Sequence, residues 1–263
     1  FGGVMKIYFA SSRLSLKDPE SWVASIAEAG FDGWEISMDG WFHSVEDIPK
    51  KFPGIKKVLK ETGLEASVHL PFSGLNPASL NTDVWSATVS QLSACIEAAS
   101  EIADTITLHP GYLEPNGREA TSAAWNAHRE ALEKFGEAAE RSGVCVALEN
   151  MPNLEDFYCR DPYELEGFAD AVSGISLTFD VGHANTNGNL DTFCKVILPR
   201  AAHMHIHDNH GKYDEHLPLG KGSIDWKRVM PKIRAEYRGK IMVVEGRNPA
   251  EGRISLDLIR EWF

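Results

Sequence analysis

Several features are scarce in this chain of 263 residues, and each absence excludes something. Cysteine occurs four times, at Cys95, Cys145, Cys159 and Cys194, with no C-x-x-C pair. That excludes a disulfide-dense secreted scaffold and a zinc ribbon. The thiols read as reduced, in a cytoplasmic protein, with Cys95 and Cys145 in core-like apolar surroundings. No apolar run approaches the roughly 18 residues of a membrane helix, and no basic-then-apolar leader opens the chain, so no membrane partner is expected. Lys and Arg total 26 against 38 Asp and Glu, a formal net charge of -12. This balance argues against a general nucleic-acid surface, while leaving bound cations free to supply positive charge. The stretch Phe9-Ala10-Ser11-Ser12-Arg13 after the first strand candidate has no glycine, so no phosphate-binding fingerprint is present. No linker, low-complexity tract or repeat interrupts residues 5–263, which read as one domain. Residues 1–4, ahead of Met5, are set aside as a leader or remnant.

What remains is ordinary in bulk, 43% hydrophobic and 24% charged, enough to bury a full core. Short apolar or β-branched runs at 6–11, 33–38, 64–70, 105–110, 144–150, 175–180, 202–208 and 240–246 read as eight strands. Amphipathic stretches lie between them, among them 18–28, 83–103, 122–142, 162–172 and 225–237. Asp18-Pro19 and Asp161-Pro162 supply helix starts, and Gly30, Gly63 and Gly143 supply stops. Strict strand–helix alternation implies parallel strands joined by right-handed crossovers. Eight such units predict a single α/β domain of the (β/α)₈ TIM-barrel type, rather than an open doubly wound sheet.

The chemistry lies in what ends those strands. Strand three ends at His69, strand four at His109, strand five at Glu149, and strand six at Asp180 with His183 three residues on. Strand seven carries His203, His205 and His207; Asp214 and His216 follow in the next loop, and strand eight ends at Glu245. In this architecture the C-terminal strand ends converge on one mouth. Several carboxylates brought together there would repel or be forced to protonate, and divalent cations resolve that conflict. Mixed imidazole and carboxylate shells suit zinc, manganese or iron. A lone histidine at a strand end is more often a hydrogen-bonded structural residue, and His203 and His207 read that way. His210 reads as a surface residue.

At these positions the chain resembles the xylose-isomerase-like barrel superfamily, which includes sugar isomerases and epimerases as well as endonuclease IV. Resemblance to tagatose and psicose epimerases implies one metal, zinc or manganese, held by Glu149, Asp180, His205 and Glu245, with His183 contacting substrate. Resemblance to endonuclease IV implies three zinc ions on nine ligands: His69, His109, Glu149, Asp180, His183, His205, Asp214, His216 and Glu245. The run Asp214-Glu215-His216, followed by Leu219-Gly220-Lys221-Gly222, matches that enzyme in spacing. Two stretches depart from it. Asp180-Val181-Gly182-His183 stands in place of an Asp-Thr-(Cys/Ala)-His, and His205-Ile206-His207-Asp208 in place of a His-x-Asn-Asp. The loop after strand two, from Asp39 to Asp47, carries no Arg or Lys to grip DNA.

Two chemistries follow from the resemblance. The first is isomerisation or epimerisation of a sugar or sugar phosphate, with Glu149 and Glu245 as general base and acid and one metal polarising the substrate. His183, Trp41 and Phe72 would then contact substrate, the aromatics as a lid. Lys221 and Arg247 (together with Lys212 and Arg253) would favour a phosphate if they gathered at the rim. The second is phosphoester hydrolysis of DNA at abasic sites with three ions, so the two readings together imply one to three divalent ions. Oligomeric state has no signal in the sequence.

Overall fold

The computed structural model describes residues 5–40 and 44–263. Trp41, expected at the mouth, and its neighbour Phe42 lie outside the described residues. Eight parallel strands close a barrel in sequence order: β1 (Lys6–Ala10), β2 (Gly33–Ser37), β3 (Glu65–His69), β4 (Thr105–Leu108), β5 (Cys145–Glu149), β6 (Ile175–Asp180), β7 (His203–Ile206) and β8 (Ile241–Glu245). Closure runs through β1 and β8, where Ala10 lies beside Glu245. The register also sets Asp180 beside His205, so two candidate ligands are neighbours by strand pairing alone.

The long helices Thr82–Ala99, Thr121–Ser142, Pro162–Ala171 and Trp226–Glu236 follow the periodicity closely. Asp161 Oδ1 accepts from the backbone N–H groups of Tyr163 and Glu164, capping its helix, and Gly143 ends another in the left-handed conformation at φ 70°. Segment 18–28 departs from the single helix its pattern predicts. It splits into a 3₁₀ turn at Pro19–Ser21 and a short helix at Ala24–Glu28, with Trp22 between them at φ -146°. Trp22 is buried edge-on against Trp34, and that packing outweighs local propensity. All four cysteines are free; Cys95, Cys159 and Cys194 are buried, whereas Cys145 is only partly covered, contrary to its core-like context.

Side-chain alternation divides the barrel into two unlike regions. Outward residues such as Phe9, Trp34, Ile36, Val68, Leu148, Phe179, Met204 and Val244 join one continuous apolar layer with the helices. The apolar part of the interior is a small cluster of Tyr8, Ala10, Val243 and Ile241. Its neighbours Glu35, Ser67, Thr107, Thr178, His203 and His205 are buried and polar. A barrel of this class usually fills its interior with bulky branched residues. Here a hydrogen-bonded polar floor lies beneath the mouth instead.

Candidate metal centre

At the C-terminal end of the barrel the candidate ligands form three groups around Glu149. In the first, His69 Nε2 and His109 Nε2 are 3.1 Å apart, and Glu149 Oε2 lies 3.1 Å from His109 Nε2 and 3.4 Å from His69 Nε2. In the second, His205 Nδ1 lies 2.8 Å from Glu149 Oε1, 3.7 Å from Glu245 Oε1 and 3.9 Å from Asp180 Oδ2. In the third, Asp214 Oδ2 is 3.0 Å from His216 Nε2 and 3.4 Å from His183 Nε2, while Asp214 Oδ1 is 3.2 Å from His207 Nε2. Ligands on one tetrahedral zinc with bonds of roughly 2.0 Å stand about 3.3 Å apart. The first group has that spacing, the third has it between Asp214 and each imidazole with all four donors within 4.8 Å of one another, and the second is somewhat wider.

Hydrogen bonding fixes which ring nitrogens face the centre. His69 Nδ1 lies 2.9 Å from the Leu70 carbonyl and His183 Nδ1 lies 2.7 Å from the Asn150 carbonyl. A carbonyl only accepts, so each Nδ1 donates and each Nε2 carries its lone pair toward the cluster. Glu149 Oε2, Asp180 Oδ2, His205 Nδ1, His207 Nε2 and Glu245 Oε2 are all buried without a hydrogen-bond partner. Buried polar atoms are rarely left so, and these five face one another. The donor set and its unsatisfied atoms therefore fit divalent cations.

The electrostatics run the same way. Burial pushes the Glu149 carboxyl up, but the imidazoles of His205, His109 and His69 outweigh burial and hold it well below the carboxylate range. Burial likewise opposes ionisation of Asp214, and His183, His207 and His216 override it. At Glu245 burial wins, and its carboxyl titrates above the ordinary value. His205 is driven well above the usual imidazole range, since Glu35, Glu149 and Glu245 overcome its own desolvation.

Two supports lie away from the strand ends, where sequence reasoning does not look for them. Glu35, in the middle of β2, accepts from Ser67 Oγ at 2.8 Å and from His203 Nε2 at 2.7 Å, and its other oxygen stands 2.8 Å from His205 Nε2. A carboxylate behind a ligand imidazole orients the ring and raises its basicity. The signal that could have found it is a lone acid at an inward position of an otherwise apolar strand. Asp208 is the second support. Its Oδ2 accepts from Gly220 N and Trp226 Nε1, and its Oδ1 accepts from Asn209 N and Ile224 N. A Cβ at Gly222 would strike Asp208, so Gly220 and Gly222 serve this hub, which folds back the loop bearing Asp214 and His216.

All nine residues expected as ligands come together here. His203 and His207, alike in sequence, part company: His203 points at Glu35 under the floor, whereas His207 faces Asp214 and Asp180. Phe72 lines the mouth and stacks on His109, with centroids 4.4 Å apart. His210 is exposed and pairs with Glu215. Lys221 and Arg247 are exposed and do not line the cavity; Lys212 lies over the Tyr213 ring, and Arg253 pairs with Asp257. The mouth cavity, about 170 Å³, is lined by residues that include Glu149, Glu245, His183 and Phe72.

The model of the xylose isomerase-like TIM barrel family matches residues 23–262. The chain belongs to that family. A D-tagatose 3-epimerase-like protein of known structure is 31% identical, with 98% of this chain and 97% of that one covered and a TM-score of 0.87. An uncharacterized protein of Methanocaldococcus jannaschii is 32% identical over 254 residues, 93% of this chain and 86% of that one. The 3-keto-D-glucoside 4-epimerase YcjR from E. coli shares the fold at 21% identity, with a TM-score of 0.77 and 98% of this chain and 99% of that one covered. No helix among the described residues is long and apolar enough to cross a membrane.

Proposed function

We propose that the chain is a divalent-metal-dependent isomerase or epimerase of a small sugar, moving a proton at carbon between Glu149 and Glu245. One observation carries this reading: the mouth cavity is lined by carboxylates, imidazoles, small residues and Phe72, with no Lys or Arg among its lining residues. A sugar offers hydroxyls and a carbonyl to such a lining. A phosphate group would have to rely on bound ions, so an uncharged sugar fits better than a sugar phosphate. At about 170 Å³ the cavity is smaller than the roughly 300–1,000 Å³ of drug-sized ligand sites, in keeping with a small substrate. The D-tagatose 3-epimerase-like relative supports the substrate class.

Glu149, Asp180, His205 and Glu245 would hold the catalytic ion, zinc or manganese. When bound, that ion supplies Lewis-acid polarisation of a carbonyl and its adjacent hydroxyl. Glu149 and Glu245 approach His205 Nδ1 from β5 and β8, and in this reading they address opposite faces of one substrate carbon. One carboxylate removes the proton and the other returns it, which inverts the centre or moves the carbonyl along the chain. Phe72, stacked on His109, excludes water from one side of the mouth. Trp41 is assigned the same role by its place in the sequence.

A second reading is favoured by the complete group of His69, His109 and Glu149, which a one-metal isomerase does not require. It is an endonuclease IV-like hydrolase, with phosphoester cleavage at abasic sites in DNA. The two part in one experiment. Protein loaded with zinc or manganese is incubated with a panel of free ketoses and aldoses in D₂O, followed by NMR, and separately with a duplex oligonucleotide bearing an abasic site. Deuterium entering beside a sugar carbonyl, with the duplex intact, is the expected result. Strand cleavage without deuterium exchange on any sugar would replace the first reading with the second.

A further inference from the structure

The two stretches that depart from the endonuclease IV pattern, around Gly182 and around His207, are one structural feature. A Cβ added at Gly182 would collide with three ring atoms of His207, so the glycine is what admits the imidazole. Gly182 follows Asp180 by two residues in the helix Val181–Thr186, and His207 follows the end of β7. Neither position is a strand-end ligand. Together they place a fourth donor on the group of His183, Asp214 and His216, and the four donor atoms all lie within 4.8 Å of one another.

We infer that His183, His207, Asp214 and His216 form a closed, four-ligand zinc-type site that fastens the loop of residues 209–223 to the barrel and holds an ion separate from the proposed catalytic one. Three imidazoles and one carboxylate are a borderline-soft, nitrogen-rich set that suits zinc and excludes magnesium or calcium. His183 Nδ1 donates to the Asn150 carbonyl and His207 Nδ1 faces the Asp208 carbonyl at 3.4 Å, so both rings turn Nε2 inward. His207 Nε2 is fully buried and unpartnered, 3.2 Å from Asp214 and 3.3 Å from Asp180. Structural zinc sites are filled by four protein ligands, whereas catalytic ones keep a position open for water or substrate. The site joins the segment after β6, the end of β7 and the loop beyond it, and His216 is held at φ 49° to complete it. This assignment goes beyond the proposed chemistry and stands under either reading of it. It also means that a count of more than one ion per chain does not by itself point to a hydrolase.

The test uses the whole protein loaded with zinc alone, or with cobalt alone as a spectroscopic probe. A graded series of chelators is expected to strip the other ions first and leave one per chain. The retained cobalt is expected to give the intense visible absorption of a four-coordinate ion. His207→Asn and, independently, Gly182→Ala should weaken retention of that ion at least 10-fold and shift its cobalt spectrum. Both should also expose residues 209–223 to limited proteolysis, while His210→Ala, at an exposed histidine outside the group, should change none of these readouts. If His207→Asn retains the ion and its spectrum as wild type does, His207 is not a ligand and the closed site is wrong. The closed site is equally wrong if the wild-type protein keeps no ion after mild chelation. Should Gly182→Ala fail to fold, His207→Asn decides alone. Absence of turnover on every sugar tried in wild-type protein that still holds the retained ion would count against the proposed function and leave this site standing.

Discussion

The two ends of the barrel gather charged residues in opposite ways. At the N-terminal end Lys6 donates to Glu65 at 2.9 Å and Tyr8 to its other oxygen at 2.8 Å, with Lys6 and Glu65 about half exposed. The cavity there, about 780 Å³, is far larger than the mouth, and Lys6, Glu65, Asp104, Arg200 and Arg238 give it both signs of charge. At the C-terminal end Glu149 and Asp180 are buried among imidazoles, Glu245 is nearly so, and all three leave an oxygen unpaired. Size and charge density alone would choose the N-terminal end, whose cavity is lined by none of the nine candidate ligands. What distinguishes a site is unsatisfied polarity held where water cannot relieve it.

The largest expected contrast is in turnover. Glu245→Gln removes the carboxylate proposed to transfer the proton while keeping the side chain's size at the end of β8. It should lower the deuterium-exchange rate on an identified sugar by roughly 10²–10⁴-fold while the melting temperature stays within a few degrees. Near-wild-type exchange would remove Glu245 from the chemistry.

The histidines provide the next contrast. His128, on the helix Thr121–Ser142, is buried against Tyr158 and Phe168 and accepts from Gly111 N; burial alone lowers its pKa to about 3. The unfolded chain takes up this proton near pH 6.5 and the folded one does not until about 3. Its contribution is therefore fully present above about 6.5 and is lost as pH falls through that window. Wild type should lose on the order of 3 kcal/mol more than His128→Gln between these limits, measured by urea unfolding at stepped pH. Parallel curves would show that His128 is protonated at no cost.

Beneath the mouth, Glu35→Gln keeps the shape and removes the charge behind His205. Metal affinity, read by competition with a chromophoric chelator, should fall about 10–100-fold. An unchanged affinity would reduce Glu35 to a structural hydrogen-bonding residue. At the opposite end, Glu65→Gln breaks a half-exposed pair and should cost less than about 1 kcal/mol in thermal unfolding, with no effect on metal binding. A change in metal binding there would mean that the two ends are coupled.

Much of this architecture is legible in the residue pattern. The eight strands and the convergence of His69, His109, Glu149, Asp180, His205 and Glu245 follow from periodicity and from the rule that barrel strands end at one mouth. The helical reading of 18–28 fails because buried Trp22 interrupts it, a long-range effect that propensity does not carry. Glu35 escapes a search of strand ends because it sits mid-strand, where only the pleat decides that a side chain faces inward. His207 reads like His203 because both alternate with Met204 and Ile206, yet strand β7 ends at Ile206 and releases the next residue from that alternation.

The sequence by itself determined the barrel, its polar strand ends and the shortage of cationic side chains, because each is written in local pattern and composition. The tertiary structure decided which histidine backs onto Glu35 and which faces Asp180 and Asp214, that Gly182 makes room for His207, and that Lys221 and Arg247 do not line the mouth cavity. Those outcomes depend on the directions of side chains from distant segments meeting in one small volume, and no local pattern encodes a direction.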